Sequence, residues 1–435
     1  MNTELESKID EILTHGVAEV IDKEHLKKRL LSGEKLRVKL GIDPTSPNLH
    51  LGRAVTLSKL KDLQDLGHQI IFIIGDFTGQ IGDTSDKDSE RPMLSADLVK
   101  NNMKTYLDQV YKILDPDPKK TKVFYNSTWL SGLDLKKIGE LATWFSLAEF
   151  ISRENIKKRL DAEKRISLRE VLYPLMQGYD SVMVDADLEL GGTDQRFNML
   201  AGRQVQKYYL PSLKEIKMID ENIMGGERRW HRCGNPIGED PLQKNAQDIL
   251  MVNLIEGTDG RKMSSSWGNT INILDEPNDM FGKVMSIPDN LIIKYFIHCT
   301  RTPMESVKKM EKDMATGKLN PRDAKLCLAH DIVKIYHGEE KALAAQKYFV
   351  NTFSKKEMPE SVTECSVEAE NIKLTEFLVQ GGQARSLSDA RRKTEQGGVE
   401  IDGKKVENWQ LILDKKYDGK VFKVGKFGFV KIKFK

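Results

Sequence analysis

Cysteine is scarce in this chain: there are four in 435 residues, Cys233, Cys299, Cys327 and Cys365, none of them in a CxxC pair. That spacing argues against a structural zinc site and a dense disulfide framework, and it fits a reducing cytoplasm. Long apolar runs are missing as well. No stretch approaches about 18 apolar residues, and the charged, amphipathic opening "MNTELESKIDEILTHG" has no core of signal-peptide length, so no membrane partner is expected. An excess of either charge is absent too: 68 basic side chains face 65 acidic ones, so any attraction to nucleic acid has to come from local clustering. There is no internal repeat and no low-complexity tract. What remains is an ordinary globular composition in a chain too long for one core, which implies two or three domains.

From Leu36 the text "LRVKLGIDPT" reads as a strand entering a turn. Val55, Leu57, Leu60, Leu63 and Leu66 then recur with helical spacing, and Gly67 is a plausible stop. The continuously apolar "QIIFIIGDF" follows as a buried strand. Strand, helix and buried strand form a βαβ unit, so the fold class is α/β with a Rossmann-type parallel sheet. Ligands of such sheets sit beyond the carboxyl ends of the strands, which directs attention to the loops beginning at Gly41 and Gly75. A third strand end occurs at Gly191 and Gly192, ahead of a helix starting near Asp194. The expected organisation is a Rossmann-type domain with connective insertions over 1–277, a helical domain over 278–353, a polar linker over 354–370 and a basic α+β module over 371–435. That last stretch holds 15 Lys/Arg against 8 Asp/Glu and has a hairpin signal at Asp402-Gly403.

Two stretches carry chemistry. In "GIDPTSPNLHLGR", Thr45 lies in a turn and His50 at the helix start that follows, where unpaired N–H groups and the helix dipole suit phosphate. His50 can donate to a phosphoryl oxygen, and Gly52 leaves room for a flat base or a ribose. "KMSSSWGN", from Lys262, packs no core, so it is either an ordinary exposed turn or a set of donors waiting for an anion.

"HLGR" and, some two hundred residues later, "KMSSS" resemble the two signatures of class I aminoacyl-tRNA synthetases. "LYPLMQGYDS", "LGGTDQRFN", "GIDPT" and "GDFTGQIGDTSDKDSERP", with the order of all of them, narrow the resemblance to the bacterial tyrosyl-tRNA synthetase family over nearly the whole chain. The resemblance implies that Asp180 accepts the hydrogen bond of the tyrosine hydroxyl, and that Asp83, Tyr173 and Gln177 surround the ammonium group. It places Asp194 on the ATP ribose and Gln195 near the α-phosphate and carboxylate, with Gly41, Asp43, Gly52, Arg53, Gly191 and Gly192 completing the ATP site. Thr45, His50, Lys87, Arg91 and Lys262 would serve the β- and γ-phosphates, with Lys262 and Ser265 on a mobile flap. The implied reaction needs no general base and no prosthetic group. Tyrosine and ATP, carried with Mg²⁺, give the adenylate, and tRNA(Tyr) then takes the tyrosyl group. A helical anticodon-binding domain, a homodimer and a C-terminal module gripping tRNA through Arg385, Arg391, Arg392 and Lys393 are further implications.

Three positions depart from the family pattern. Arg53 stands where histidine or asparagine is usual, so phosphate becomes its expected contact. Ser265 replaces the second lysine of the second signature, and potassium or the magnesium on ATP is the expected compensation. Lys39 occupies a position where other branches have a tyrosine that reads the phenol. The segment 220–247 reads as a surface insertion, and its His231 and Cys233 lack the partners of a metal site. Two other readings stay open: a tryptophanyl or other aromatic synthetase, and an RNA-binding paralogue without catalysis.

Overall fold

The computed structural model describes residues 2–85, 89–90, 92–209, 246–354, 362–425 and 428–435. They form two compact units, one of residues 1–275 and 286–328, the other of 276–285 and 329–435. The stretch 278–353 therefore contributes to both.

The first unit is built on six strands: β1 (Val17–Ile21), β2 (Arg37–Ile42), β3 (Gln69–Ile74), β4 (Thr121–Tyr125), β5 (Leu188–Gly192) and β6 (Asp248–Val252). Their order is β1-β6-β5-β2-β3-β4, parallel throughout except for β1, which runs antiparallel along β6. Ile70 to Ile74 are fully buried and β5 is buried along its length, as expected of central strands covered on both faces. Successive strands leave β2 in opposite directions, toward β3 and β4 on one side and β5 and β6 on the other. The topological switch point thus falls between β2 and β5.

Helix Leu51–Asp65 joins β2 to β3 and buries Ala54, Leu57, Leu60 and Leu63 against the sheet. It ends where Gly67 takes a φ of 92°, in the left-handed region open to glycine. Helix Leu168–Met183 starts with a capping box between Ser167 and Glu170. Tyr173, Gln177 and Asp180 follow at i, i+4 and i+7, so one helix face presents all three.

The second unit contains helix Pro277–Met285 packed on helix Glu339–Phe349, with the Phe281 and Phe349 rings 5.4 Å apart. Its strands are β7 (Thr363–Val367), β8 (Asn371–Lys373), β9 (Val399–Ile401), β10 (Lys404–Lys405), β11 (Ile412–Asp414), β12 (Val421–Val424) and β13 (Gly428–Phe434). Five of them form a sheet in the order β10-β9-β12-β13-β7, while β8 and β11 make a separate pair. Asp402 and Gly403 both take positive φ, 47° and 80°, and close the expected hairpin between β9 and β10. β7 lies inside the stretch that reads as linker in the sequence. Its alternating "TECSV" buries Cys365 and Val367 and pairs in parallel with β13. The described helices include none long and apolar enough to cross a membrane.

Candidate active site

A cavity of about 550 Å³ opens at the carboxyl ends of β2, β3 and β5, and its lining includes Gly41, Asp43, Thr45, His50, Asp180, Asp194 and Lys262. At one end lies Asp180, which is 4% exposed. Trp129 Nε1 donates to its Oδ1 at 2.8 Å and Asn126 Nδ2 to its Oδ2 at 3.2 Å. Burial pushes its carboxyl up to about 7, against the pull of the Lys39 charge and these two donors. Neither Trp129 nor Asn126 is marked by any motif in the sequence.

Beside it, Tyr173 donates its hydroxyl to Asp43 Oδ2 at 2.8 Å, and Thr78 Oγ1 donates to Oδ1 at 2.7 Å. Burial lifts Asp43 to about 6, and burial together with the neighbouring Asp43 and Asp83 charges keeps Tyr173 a neutral phenol. Its oxygen lone pairs therefore remain available to an ammonium group. Gln195 Nε2 donates to Asp83 Oδ2 at 2.8 Å, while Asn198 Nδ2 reaches Gln195 Oε1 at 3.0 Å and Gln177 Oε1 at 3.1 Å. Gln177 Nε2 in turn donates to Glu189 at 3.1 Å. The expected Asp83, Gln177 and Gln195 are thus one network, centred on fully buried Asn198, which sequence reasoning missed.

Lys39 is not open to a ligand. It is 1% exposed, and its ammonium donates to Glu189 Oε1 at 2.9 Å, Ser181 Oγ at 2.7 Å and the Gln177 carbonyl at 2.9 Å. A charge so placed acts on Asp180 through its field and fixes Gln177 from behind.

At the start of helix Leu51–Asp65 the expectation of free backbone donors needs correcting. Leu51 N–H donates to the Ile271 carbonyl at 2.8 Å, Gly52 N–H points at Met263 Sδ at 3.4 Å, and the next two amides bond the His50 carbonyl. The donors left at this helix end are side chains. Gly52 also has a nearer reason to be glycine than a ligand, since a Cβ there would lie 3.0 Å from His50 Nδ1. Likewise a Cβ at Gly191 would meet Met199 Sδ at 2.8 Å, and one at Gly192 would meet Asp194 Oδ1 at 2.6 Å. Burial and the positive charges of Arg53 and Lys262 depress His50 to about 3, so its imidazole is neutral at physiological pH.

The second signature is folded onto the first. Met263 is 3% exposed, Ser265 Oγ lies 3.3 Å from Ser46 Oγ, and Lys262 Nζ donates to Asp194 Oδ2 at 3.0 Å. Asn269 organises the turn: its Oδ1 accepts Ser264 N–H at 2.9 Å, and its Nδ2 donates to Asp259 at 2.7 Å and to the Lys262 carbonyl at 3.1 Å. Lys87, Arg91, His231 and Cys233 lie outside the described residues, as does most of the insertion expected over 220–247. Among the described residues no three His, Cys, Asp or Glu side chains are placed to hold a metal ion.

In the second unit, Arg392 and Lys393 are ion-paired to Asp389 at 2.6 and 3.2 Å. Arg391 pairs with Glu395 at 2.8 Å and stacks 4.5 Å from the Trp409 ring centroid. Arg385 is exposed, and its backbone N–H donates to Asp389.

A parallel sheet with a polar cavity at its switch point, closed by a turn that carries a lysine, defines a nucleotide-binding enzyme of the Rossmann type. The family of class I tRNA synthetases for tryptophan and tyrosine matches residues 31–354, and the C-terminal domain of tyrosine–tRNA ligases matches 354–426. The chain belongs to the tyrosine–tRNA ligase family. It is 43% identical to the tyrosine–tRNA ligase of Carboxydothermus hydrogenoformans over 98% of this chain and 97% of that one. With the ligase of Thermotoga maritima it shares 42% identity over 97% and 96% of the two chains. In fold it is similar to the truncated mitochondrial tyrosyl-tRNA synthetase of Aspergillus nidulans, with a TM-score of 0.60 at 19% identity, covering 81% of this chain and 99% of that one. The synthetase of Archaeoglobus fulgidus gives 0.56 at 22% identity, covering 79% and 99%.

Proposed function

We propose that this chain activates tyrosine with ATP and transfers it to the 3′-terminal ribose of tRNA(Tyr), acting in the cytoplasm as a homodimer. The observation that carries the reading is the shared helix face of Tyr173, Gln177 and Asp180, with the buried Asp180 carboxylate in the same cavity as Lys262. The phenol of the substrate donates to Asp180, whose orientation is fixed by Trp129 and Asn126. A phenylalanine in its place would leave that carboxylate without its ligand partner. The ammonium group meets Tyr173 oxygen, Gln177 and the Asp83 charge. Asp194 receives the ribose and Gln195 the α-phosphate region, with Gly41, Asp43, Gly191 and Gly192 beside them.

The tyrosine carboxylate then attacks the α-phosphorus in line and pyrophosphate leaves, so the protein's part is placement and charge stabilisation. Neutral His50 and Thr45 donate to the phosphates, and Lys262 exchanges Asp194 for the charge growing on the leaving group. Magnesium arrives on the phosphates of ATP as part of the substrate. The terminal ribose hydroxyl of tRNA next attacks the adenylate carbonyl, releasing AMP and tyrosyl-tRNA. Lys87 and Arg91 join the phosphate set by family resemblance. Exposed apolar side chains support a subunit interface: Leu135, Trp144, Leu147, Ile151, Leu160 and Leu168 follow one another within a short stretch.

Exchange of labelled pyrophosphate into ATP, run with tyrosine, phenylalanine and tryptophan, tests the reading without tRNA. Exchange with tyrosine alone is expected. Exchange with tryptophan, or with none of the three, would overturn it.

A further inference from the structure

We infer that the Arg53 guanidinium joins Lys262 on the departing pyrophosphate, supplying in this enzyme the charge that Ser265 lacks. The inference rests on the activation chemistry proposed above.

Three cationic side chains among the described residues line the cavity: Lys39, Arg53 and Lys262. Lys39 is engaged by Glu189 and Lys262 by Asp194, at 2.9 and 3.0 Å. Arg53 is half-buried, and no described carboxylate or carbonyl accepts a hydrogen bond from its side chain. Its nitrogens are not among the buried atoms that lack a partner, so the guanidinium faces the open cavity and can meet a ligand without first giving up a protein acceptor. The backbone cannot take its place, because the first amides of helix Leu51–Asp65 already have acceptors. His50 is neutral there, so among the described residues the fixed positive charge at this end of the cavity comes from Arg53 and Lys262. Ser265, opposite, meets Ser46 hydroxyl to hydroxyl and brings no charge.

A fork of N–H donors matches two phosphoryl oxygens better than an ammonium does, so one arginine on the helix can replace a lysine on the turn. It follows that no monovalent cation is needed to fill the place of the missing lysine.

The test uses the full-length protein, Arg53→Gln, and Arg53→Gln combined with Ser265→Lys. Tyrosine-dependent pyrophosphate exchange is measured in potassium and in a bulky tetraalkylammonium salt, and binding of inorganic pyrophosphate is followed by calorimetry. Arg53→Gln is expected to lower the maximal exchange rate about 100-fold with the KM for tyrosine unchanged. It should also weaken pyrophosphate binding at least tenfold. The added lysine should restore most of both, and the unaltered enzyme should exchange equally well in the two salts. Exchange by Arg53→Gln within threefold of the unaltered rate, or a potassium requirement in the unaltered enzyme, would overturn the inference. Absence of exchange in the unaltered enzyme defeats the activation reading instead, and pyrophosphate binding then decides the role of Arg53 by itself.

Discussion

Lys262 Nζ lies 3.0 Å from Asp194 Oδ2, so the lysine of the second signature and the aspartate that follows the β5 glycines neutralise each other inside the cavity. In the reaction proposed above each partners a different part of ATP, the ribose for Asp194 and the phosphates for Lys262. On that proposal ATP binding replaces one ion pair by two bonds to the ligand. Replacing Lys262 by glutamine should slow adenylate formation by about 100- to 1,000-fold at saturating substrates, the loss typical of a donor that acts on developing charge. Tyrosine binding, measured by equilibrium titration, should stay within twofold. An equal loss of tyrosine affinity would mean that Lys262 holds the pocket together and does not act on the phosphates.

In the proposed reading Trp129 bears on specificity through the hydrogen bond it donates to Asp180. Trp129→Phe keeps an aromatic ring in place and removes the N–H that donates to Asp180 at 2.8 Å. The carboxylate then loses an orienting bond of roughly 1.5–3 kcal/mol, as expected for a donor to a charged acceptor. Tyrosine affinity should fall at least tenfold while phenylalanine affinity is unaffected, narrowing the discrimination. An unchanged ratio of the two would show that Trp129 serves packing alone.

The pH dependence has a definite sign. Asp180, at about 7, is raised above the ordinary carboxylate value, so its ionised form is populated above that pH and lost below it. Its ionisation opposes folding, and the stability it withdraws grows as pH rises from about 4 to about 7 and is constant above that. Binding runs the other way: kcat/KM for tyrosine should fall as pH drops through 7, with the lower-lying Asp43, near 6, adding to the fall. His50 is neutral well below this window and should contribute no inflection. A flat kcat/KM between about pH 5.5 and 7.5 would contradict this assignment.

The buried pair Lys39–Glu189, with side chains 1% and 2% exposed, gives a stability test. Lys39→Met strands the Glu189 charge and should cost about 3–5 kcal/mol. Adding Glu189→Gln keeps an acceptor for Ser181 and removes the stranded charge, so the double variant should regain more than half of the loss in urea unfolding. Simple addition of the two single effects would mean that the pair is not coupled.

How much of this is legible in the sequence depends on how local each signal is. The β2–helix–β3 unit and the Asp402-Gly403 hairpin are written in short-range periodicity and turn chemistry, and both appear in the structure. β7 reads as linker because five residues of polar alternation look like loop until Cys365 and Val367 find the face of β13. Lys39 can be singled out by its position, but its pairing to Glu189, 150 residues away, cannot. Trp129 and Asn126 belong to no motif, and Asn198 closes "LGGTDQRFN" with no role attached to it; the value of all three appears only when the end of β4 and two helices converge on Asp180 and Gln177. The occupied amides of helix Leu51–Asp65 are hidden for the same reason, since Met263 and Ile271 arrive from about two hundred residues away.

The basic side chains of the C-terminal unit fall into two groups. Arg392 and Lys393 are balanced by Asp389, and Arg391 by Glu395, whereas Lys404, Lys405, Lys415 and Lys416 are exposed and have no acceptor among the described residues. An exposed lysine with no partner can neutralise a phosphate without first giving up a carboxylate, so these four should carry more of the affinity for tRNA than the arginine helix does. Changing Lys404 and Lys405 to glutamine should weaken tRNA binding and flatten its dependence on salt, by about 0.7–0.9 in slope for each phosphate no longer neutralised. Pyrophosphate exchange should be untouched. Arg392→Gln should have a smaller effect on both affinity and slope. If instead Arg392→Gln costs as much as the lysine pair, the helix Leu387–Glu395 is the surface that meets the phosphates, and Asp389 must release its partners when tRNA binds.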